Sequence, residues 1–168
     1  YFFTQFRYDA LQKAKEKQKL LLDSEKAKKT SLNLHERPYL GTVGAIALDK
    51  NGNLAAATST GGMTNKMTGR IGDSPIIGSG TYADNDSVAV SCTGTGDIYM
   101  RVNAAHEVSA LYKYKTSDVQ KAAEEAVKEV KALGGSGGII SIDKHGHTGF
   151  AWTKDKLGMY HGEARLGA

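Results

Sequence analysis

The sequence has one cysteine, Cys92, among its 168 residues. A single thiol excludes an internal disulfide framework and any site of several thiolate ligands. No apolar run approaches the roughly 20 residues that a membrane-spanning helix needs, and the N-terminal residues lack a signal-peptide pattern. The chain begins with Tyr1 instead of methionine, so we expect a fragment whose targeting information lies upstream. The scarcity of cysteine is compatible with a cytoplasmic location.

Positive charge is in excess, but mainly in one stretch. The chain has 22 lysine and arginine residues against 18 acidic residues, a formal net charge of +4. Much of this excess falls between Lys13 and Lys29, and the remainder is nearly balanced. We therefore expect neither nucleic acid nor a membrane as a partner. The length and the hydrophobic content of 40% are typical of one globular domain with a core of its own.

Hydrophobic periodicity and turn residues predict an alternation of helices and strands in a layered α/β (α+β) fold. The small residues around Ala45 and Ala56 predict a hairpin that is covered on both faces. Thr116, Ser117 and Asp118 predict a helix cap. The predicted elements are a helix over 6–22, a polar mobile linker over 23–41, a hairpin of strands 42–49 and 53–60, a glycine-rich loop over 61–86, a strand over 87–96, helices over 97–114 and 119–133, and two strands within 138–153 around a His145-Gly146 turn.

Several familiar site chemistries have little support. His145 and His147 lie on a predicted turn without carboxylates at ligand spacing, so solvated histidines are a better interpretation than metal ligands. There is no G-x-S-x-G motif, and Cys92 lies within an apolar strand, where a buried structural role is favoured. The "GTGD" turn at 94–97 can direct backbone N–H groups at an anion or an oxyanion, but such turns are more often only structural.

Threonines are concentrated at the ends of predicted strands. Thr42 begins the hairpin, Thr58 and Thr60 end it, and Thr93 and Thr95 end the next strand. Threonine favours strands, which is a sufficient structural explanation for each residue taken alone. A threonine at a chain N-terminus can nevertheless act as a nucleophile without histidine, because its own α-amine titrates near 8 and accepts the hydroxyl proton.

The stretches "GTVGAIALDKNGNLAAATSTGGMTNKMTGRIGDSP", "GSGTYADNDSVAVSCTGTGD" and "LGGSGGIISID" closely resemble the plant-type L-asparaginase and isoaspartyl-peptidase family of N-terminal-nucleophile hydrolases, within the glycosylasparaginase superfamily. The resemblance implies an αββα four-layer sandwich, incomplete here because most of the α subunit is not in the sequence. It implies self-cleavage between Gly41 and Thr42, with residues 1–41 as the end of the α subunit and 42–168 as the β subunit.

The same resemblance assigns roles to individual residues. Thr42 would be the nucleophile, Thr60 would tune its hydroxyl, and Thr93 with Gly94 would form the oxyanion hole. Arg70 would bind the α-carboxylate and Asp73 the α-ammonium of an aspartyl group, which is sound charge chemistry. Gly96 would leave room for the substrate. The implied substrate-binding positions are Arg70, Ile71, Gly72 and Asp73 in "RIGD" and Thr93, Gly94, Thr95 and Gly96 in "TGTG".

The implied substrates are L-asparagine and β-aspartyl dipeptides, cleaved through a Thr42 ester, and the implied assembly is an (αβ)2 dimer. No cofactor is expected; the structural sodium site of relatives lies in the α-subunit portion that this sequence lacks. Two alternatives remain open. Glycosylasparaginases share the fold and a similar clamp but typically carry aspartate before the nucleophile, where this chain has Gly41. A truncated, inactive remnant is the other alternative.

Overall fold

The computed structural model describes residues 4–23, 41–153 and 161–165. The predicted linker and most of the C-terminal tail lie outside these ranges. The described residues form two units, one with the first helix, Gly41 and Gly61–Ile71, the other with Thr42–Thr60 and the residues from Gly72 onward. The helices of the described part are α1 (Gln5–Asp23), α2 (Gly96–Val102), α3 (Ala104–Leu111) and α4 (Val119–Ala132), and its strands are β1 (Thr42–Leu48), β2 (Leu54–Thr60), β3 (Thr81–Ala83), β4 (Val88–Gly94), β5 (Gly137–Asp143) and β6 (Thr148–Trp152).

The smaller unit is built on α1, which confirms the helix predicted from the apolar periodicity. The side chains of residues 5–19 in this helix are mostly polar and exposed. A hydrogen bond of 2.7 Å from Asn65 Nδ2 to Gln18 Oε1 joins the helix to the loop 61–71. Lys66 Nζ donates to the Gly61 carbonyl at 2.8 Å within that loop. None of the helices in the described ranges is long and apolar enough to cross a bilayer.

The larger unit begins with the predicted hairpin, in which β1 and β2 pair in antiparallel register from Thr42 opposite Thr60 to Leu48 opposite Leu54. Asp49 organises the turn, because its Oδ1 accepts the backbone N–H groups of Asn51 and Asn53, each at 2.8 Å. A hydrogen bond from the Asn53 side chain is the main cause that lowers the pKa of Asp49. The backbone hydrogen bonds lower it further.

Only one face of the hairpin is covered by the described residues. The opposite face is lined by small apolar side chains, and Val43 on it is 69% exposed. The described residues therefore cover one of the two faces, and the coverage of the second face stays a prediction. Small side chains indicate close packing, but they do not show on which face it occurs. The exposed face consists of Val43, Ala45, Ala47, Ala55, Ala57 and Ser59.

The covered face packs on a second sheet, whose strand order is β3-β4-β5-β6 and whose neighbours are all antiparallel. Helices α3 and α4 pack against this second sheet and supply much of the apolar core, with Val108, Val127 and Val130 buried. Asp118 caps α4 as predicted, since its side chain accepts the N–H groups of Gln120 and Lys121. The unit therefore has a hairpin layer, a sheet layer and a helix layer, which confirms a layered α+β fold.

The predicted helix over 97–114 is instead two helices followed by a π-helical turn, Tyr112–Thr116. Asn103 interrupts it with a left-handed φ of 54°. The loop before β3 docks at this break, where the Gly78 carbonyl accepts the N–H of His106 at 2.7 Å and the Ser79 carbonyl accepts that of Ala105 at 3.2 Å. The break thus satisfies the first-turn donors of α3 with a distant segment.

Candidate active site

Thr42 and Thr60 face each other at the open end of the hairpin. The Thr42 Oγ1 hydroxyl donates to Thr60 Oγ1 at 3.1 Å, across a pair of directly opposed strand residues. Both are near the surface, with Thr42 half-buried and Thr60 exposed. A hydroxyl group bound to a second hydroxyl keeps a defined rotamer while it stays accessible to a ligand.

Contacts between the two sheets place Thr93 and Gly94 at the same end as these threonines. At the turn end of the hairpin, Leu54 donates its N–H to Asn85 Oδ1 at 2.7 Å, just before β4 begins. Leu48 approaches Gly146, in the turn between β5 and β6, where a Cβ would lie 3.7 Å away. Because the turn end of the hairpin lies over the beginning of β4, its open end lies over the end of β4, where Thr93 and Gly94 are.

Thr93 carries a hydroxyl without a hydrogen-bond partner among the described residues, although its Oγ1 is buried. A buried polar group left in this state is unusual and costs free energy. The neighbouring Gly94 has a φ of +154°, and a Cβ there would lie 2.3 Å from the Ser136 carbonyl oxygen. Thr93 therefore offers a free hydroxyl beside a backbone position that only glycine fits.

Tyr99 packs beneath this point and was not singled out by sequence. A Cβ on Gly94 would lie 2.6 Å from its ring, and one on Gly137, which pairs with Gly94, would lie 2.5 Å from its hydroxyl. The hydroxyl of Tyr99 is buried and has no partner among the described residues. Burial is the main cause that raises its pKa well above the ordinary value, followed by smaller electrostatic effects of Cys92 and Asp73. Tyr99 is thus a neutral aromatic support for the strand ends.

Asp73 is a carboxylate in the interior of the larger unit, with 6% of its surface exposed. Its charge raises the pKa of the fully buried Cys92 thiol, although burial is the larger cause. The thiol is therefore protonated, which agrees with the structural role predicted for Cys92. The Asp73 backbone packs against Gly80, where a Cβ would lie 2.5 Å from the Asp73 carbonyl oxygen. A buried carboxylate is suited to bind an ammonium group.

Thr95 and Gly96 follow the strand end, but the Thr95 hydroxyl already has structural partners. It accepts the N–H of Ser136 at 3.1 Å and lies 3.3 Å from the Ser136 carbonyl. Gly96 is buried as the first residue of α2, and Gly72 is half-buried. The structure thus brings together Thr42, Thr60, Thr93, Gly94, Thr95 and Gly96 at one end of the larger unit.

Arg70, Ile71 and Gly41 belong to the smaller unit. Arg70 is half-buried, and its N–H donates to the Met67 carbonyl at 3.1 Å. Ile71 is exposed. Gly41 is exposed too, and a Cβ on it would lie 3.3 Å from a guanidinium nitrogen of Arg7.

The histidines of the second hairpin have a structural setting. Both His145 and His147 donate their backbone N–H groups to Asp143 Oδ1, and His147 Nδ1 lies 2.9 Å from Asp143 Oδ2. No group of three or more histidine, cysteine, aspartate or glutamate side chains is arranged to hold a metal ion within the described ranges.

The sequence pattern of the asparaginase family matches residues 1–166. The chain belongs to the asparaginase family. It is 49% identical over 160 residues to the isoaspartyl peptidase of Escherichia coli K12, an alignment that covers 95% of this chain and 48% of that protein. It is likewise 49% identical to the isoaspartyl peptidase of Salmonella typhimurium, with 95% and 49% covered. The human isoaspartyl peptidase/L-asparaginase is 43% identical over 143 residues, with 84% and 46% covered.

The chain thus spans about half the length of these relatives. Within this asparaginase-family chain, sequence reasoning identified the threonines at the strand ends but missed the groups beneath them. Tyr99 and the pairing of Gly94 with Gly137 join segments that are far apart in sequence. The glycine-rich stretch "GGSGG" at 134–138 is a local signal for such close packing.

Proposed function

We propose that the protein is an N-terminal-nucleophile amidohydrolase that cleaves its own chain before Thr42 and then hydrolyses L-asparagine and β-aspartyl dipeptides. The observation that carries this proposal is the hydrogen bond of 3.1 Å between the hydroxyls of Thr42 and Thr60, at the same end of the larger unit as the unpartnered Thr93 hydroxyl. The names of the bacterial and human relatives support the substrate class.

Self-cleavage begins when Thr42 Oγ attacks the carbonyl carbon of Gly41. The peptide N–C bond breaks, the Thr42 nitrogen takes a proton, and the acyl group stays on Oγ as an ester. Water then hydrolyses this ester, which leaves Gly41 with a carboxylate and Thr42 with a free hydroxyl and a free α-amine. Glycine suits the position before the nucleophile, because it has no side chain to obstruct the approach of the hydroxyl.

The mature reaction uses the new α-amine as the base. It accepts the proton of the Thr42 hydroxyl as Oγ attacks the side-chain carbonyl of the substrate, and it returns a proton to the leaving nitrogen. The Thr93 hydroxyl and the Gly94 N–H stabilise the oxyanion. Ammonia or an amino acid leaves, and water hydrolyses the β-aspartyl ester. Activity should therefore rise with pH as the α-amine loses its proton near pH 8.

Substrate recognition follows from charge. Asp73, a buried carboxylate, binds the α-ammonium of the aspartyl group, and Arg70 binds its α-carboxylate. In this proposal Ile71, Gly72 and Gly96 also line the substrate-binding site. The α and β subunits stay paired after cleavage and assemble as (αβ)2, in the cytoplasm and without a cofactor.

Intact mass is the direct test. The full-length protein should separate into two chains with a new N-terminus at Thr42, and Thr42→Ala should stay uncut and inactive on β-aspartyl dipeptides. A wild-type protein that remains uncut and inactive would overturn the proposal and favour an inactive remnant. Cleavage of glycosylated asparagine in preference to β-aspartyl dipeptides would favour the glycosylasparaginase alternative, against which Gly41 already argues.

A further inference from the structure

Three hydroxyl groups form a hydrogen-bonded network beneath the candidate active site. Thr58 is its centre, with Thr81 Oγ1 at 2.5 Å and Ser91 Oγ at 2.6 Å from its Oγ1. The Thr58 hydroxyl donates to the Gly80 carbonyl at 3.1 Å. Thr58 and Thr81 are half-buried and Ser91 is buried. We call Thr58, Thr81 and Ser91 the hydroxyl network.

One arrangement of protons satisfies the centre of this network. The Thr58 oxygen accepts from both Thr81 and Ser91, which fills its two lone pairs, while its own proton goes to the Gly80 carbonyl. A buried hydroxyl with all its capacity used is held in one rotamer, because rotation would break several hydrogen bonds at once. The network therefore holds β2, β3 and β4 in fixed positions relative to one another.

Two of the three strands held together by the network carry a candidate active-site residue two positions further along. Thr58 precedes Thr60 on β2, and Ser91 precedes Thr93 on β4. Residues two apart on a strand point to the same face, so Thr58 lies beside Thr60 and Ser91 beside Thr93 on the face that each strand turns to the other sheet.

The segments that carry Thr42 and Asp73 also contact the hydroxyl network. On β1, Gly44 stands two residues from Thr42, and a Cβ there would lie 2.2 Å from Ser91 Oγ. The Thr81 hydroxyl also approaches the carbonyl of Ser74, the residue after Asp73, at 3.2 Å. The four segments that carry Thr42, Thr60, Asp73 and Thr93 thus meet at three hydroxyls.

We propose that the hydroxyl network positions the nucleophile and the oxyanion donor relative to each other, with Thr58 as the central positioning residue. The proposal rests on the amidohydrolase function proposed above. None of the three hydroxyls reacts with the substrate. Their effect is geometric, since a displacement of about 1 Å at a reacting centre lowers a rate by about 100-fold.

The experiment compares Ser91, in the middle of β4, with Ser87, the residue just before β4 begins, in the full-length, processed protein. Ser91→Ala removes one hydroxyl from the network. Ser87→Ala is the matched control, because Ser87 is also buried and also bonded to one hydroxyl, that of Ser109 at 2.8 Å, but lies before the start of the strand, away from Thr93. Thr58→Val removes the central hydroxyl with little change of shape, and Thr58→Ser restores it.

We expect kcat for a β-aspartyl dipeptide to fall about tenfold or more in Ser91→Ala and Thr58→Val, with KM changed less than about twofold. Ser87→Ala should lower the thermal midpoint to a similar extent and leave kcat unchanged, and Thr58→Ser should recover most of the rate. Equal kcat values for Ser91→Ala and Ser87→Ala, or a Thr58→Ser as slow as Thr58→Val, would overturn the network proposal.

The two proposals fail in different ways. An inactive, uncut wild-type protein would overturn the proposed function itself, whereas an active wild type with an unaffected Ser91→Ala would overturn only the network. If Thr58→Val does not fold, the two serine variants still decide the outcome, because each removes a single oxygen atom.

Discussion

The two ends of the β4–β5 strand pair differ in whether their buried polar groups have hydrogen-bond partners. At the threonine end, formed by Thr42, Thr60, Thr93 and Gly94, the buried Thr93 hydroxyl has no partner among the described residues. At the aspartate end, formed by Tyr112, Asp143 and His147, the buried carboxylate accepts two backbone N–H groups and two side-chain hydrogen bonds.

This difference distinguishes the proposed binding site from a structural cluster. The aspartate end borders a cavity of about 370 Å³ whose lining includes Lys144 and His145, so its shape alone is attractive for a ligand. Its carboxylate is nevertheless already saturated, which favours a role in holding the β5–β6 turn. The threonine end keeps a desolvated donor unpaired, and a group in that state stabilises whatever ligand supplies its partner.

The largest effect is expected for the substitution Thr93→Val at the threonine end. Loss of one oxyanion donor lowers kcat by about 100- to 1,000-fold in hydrolases, and we expect that range for the processed protein. Its thermal midpoint should not fall, since the hydroxyl has no partner among the described residues. Steady-state kinetics and calorimetry measure the two effects.

Thr116→Val is the control for this variant. The Thr116 hydroxyl accepts the N–H of Asp118 at 3.2 Å ahead of α4, so its removal should cost about 1 kcal/mol of stability and leave kcat unchanged. A Thr93→Val protein that behaves like this control would place the oxyanion site elsewhere.

Asp143→Asn should have the opposite profile. The amide nitrogen would face the Tyr112 hydroxyl and the His147 ring in place of an acceptor, so we expect a loss of about 1.5–3 kcal/mol in the free energy of unfolding. The kcat should stay within about twofold of wild type, because the change lies at the end of β5 away from the threonines. Urea denaturation measures the first quantity, and a large fall in kcat would contradict the structural assignment.

Acid should narrow the stability gap between wild type and Asp143→Asn. Burial alone would raise the pKa of Asp143, but hydrogen bonds from His147, together with the neighbouring N–H groups, lower it below the ordinary value of 3.8. A lowered folded pKa means that this stabilisation is complete above 3.8 and is lost as pH falls through the folded value. Urea midpoints of both proteins at a series of pH values check this, and a gap of constant size down to pH 2 would refute it.

The smallest effect is expected for Tyr99→Phe. Its hydroxyl is buried without a partner among the described residues, so its removal should raise the free energy of unfolding by about 1 kcal/mol. The ring that packs against Gly94 remains, and kcat should hardly change. A destabilised Tyr99→Phe would show that an ordered water molecule satisfies this hydroxyl.

Local patterns predicted much of the secondary structure. The hairpin around Asn51-Gly52 and the Asp118 cap were predicted because alternation, turn chemistry and capping act within a few residues. The break at Asn103 was missed, since neither proline nor glycine marks it. It depends on the Gly78 and Ser79 carbonyls, which belong to a loop more than 20 residues earlier.

The sequence by itself, through its resemblance to a known family, determined the candidate nucleophile, its glycine neighbour and the two motifs that bear the proposed oxyanion and clamp residues, because these motifs are contiguous patterns of residue type. The arrangement of those patterns depends on tertiary structure. Thr58 meets Ser91 across 33 residues and Thr81 across 23. Hydrogen bonds over such separations form only after the sheets have packed, since the free energy that holds them comes from burial of the whole layer.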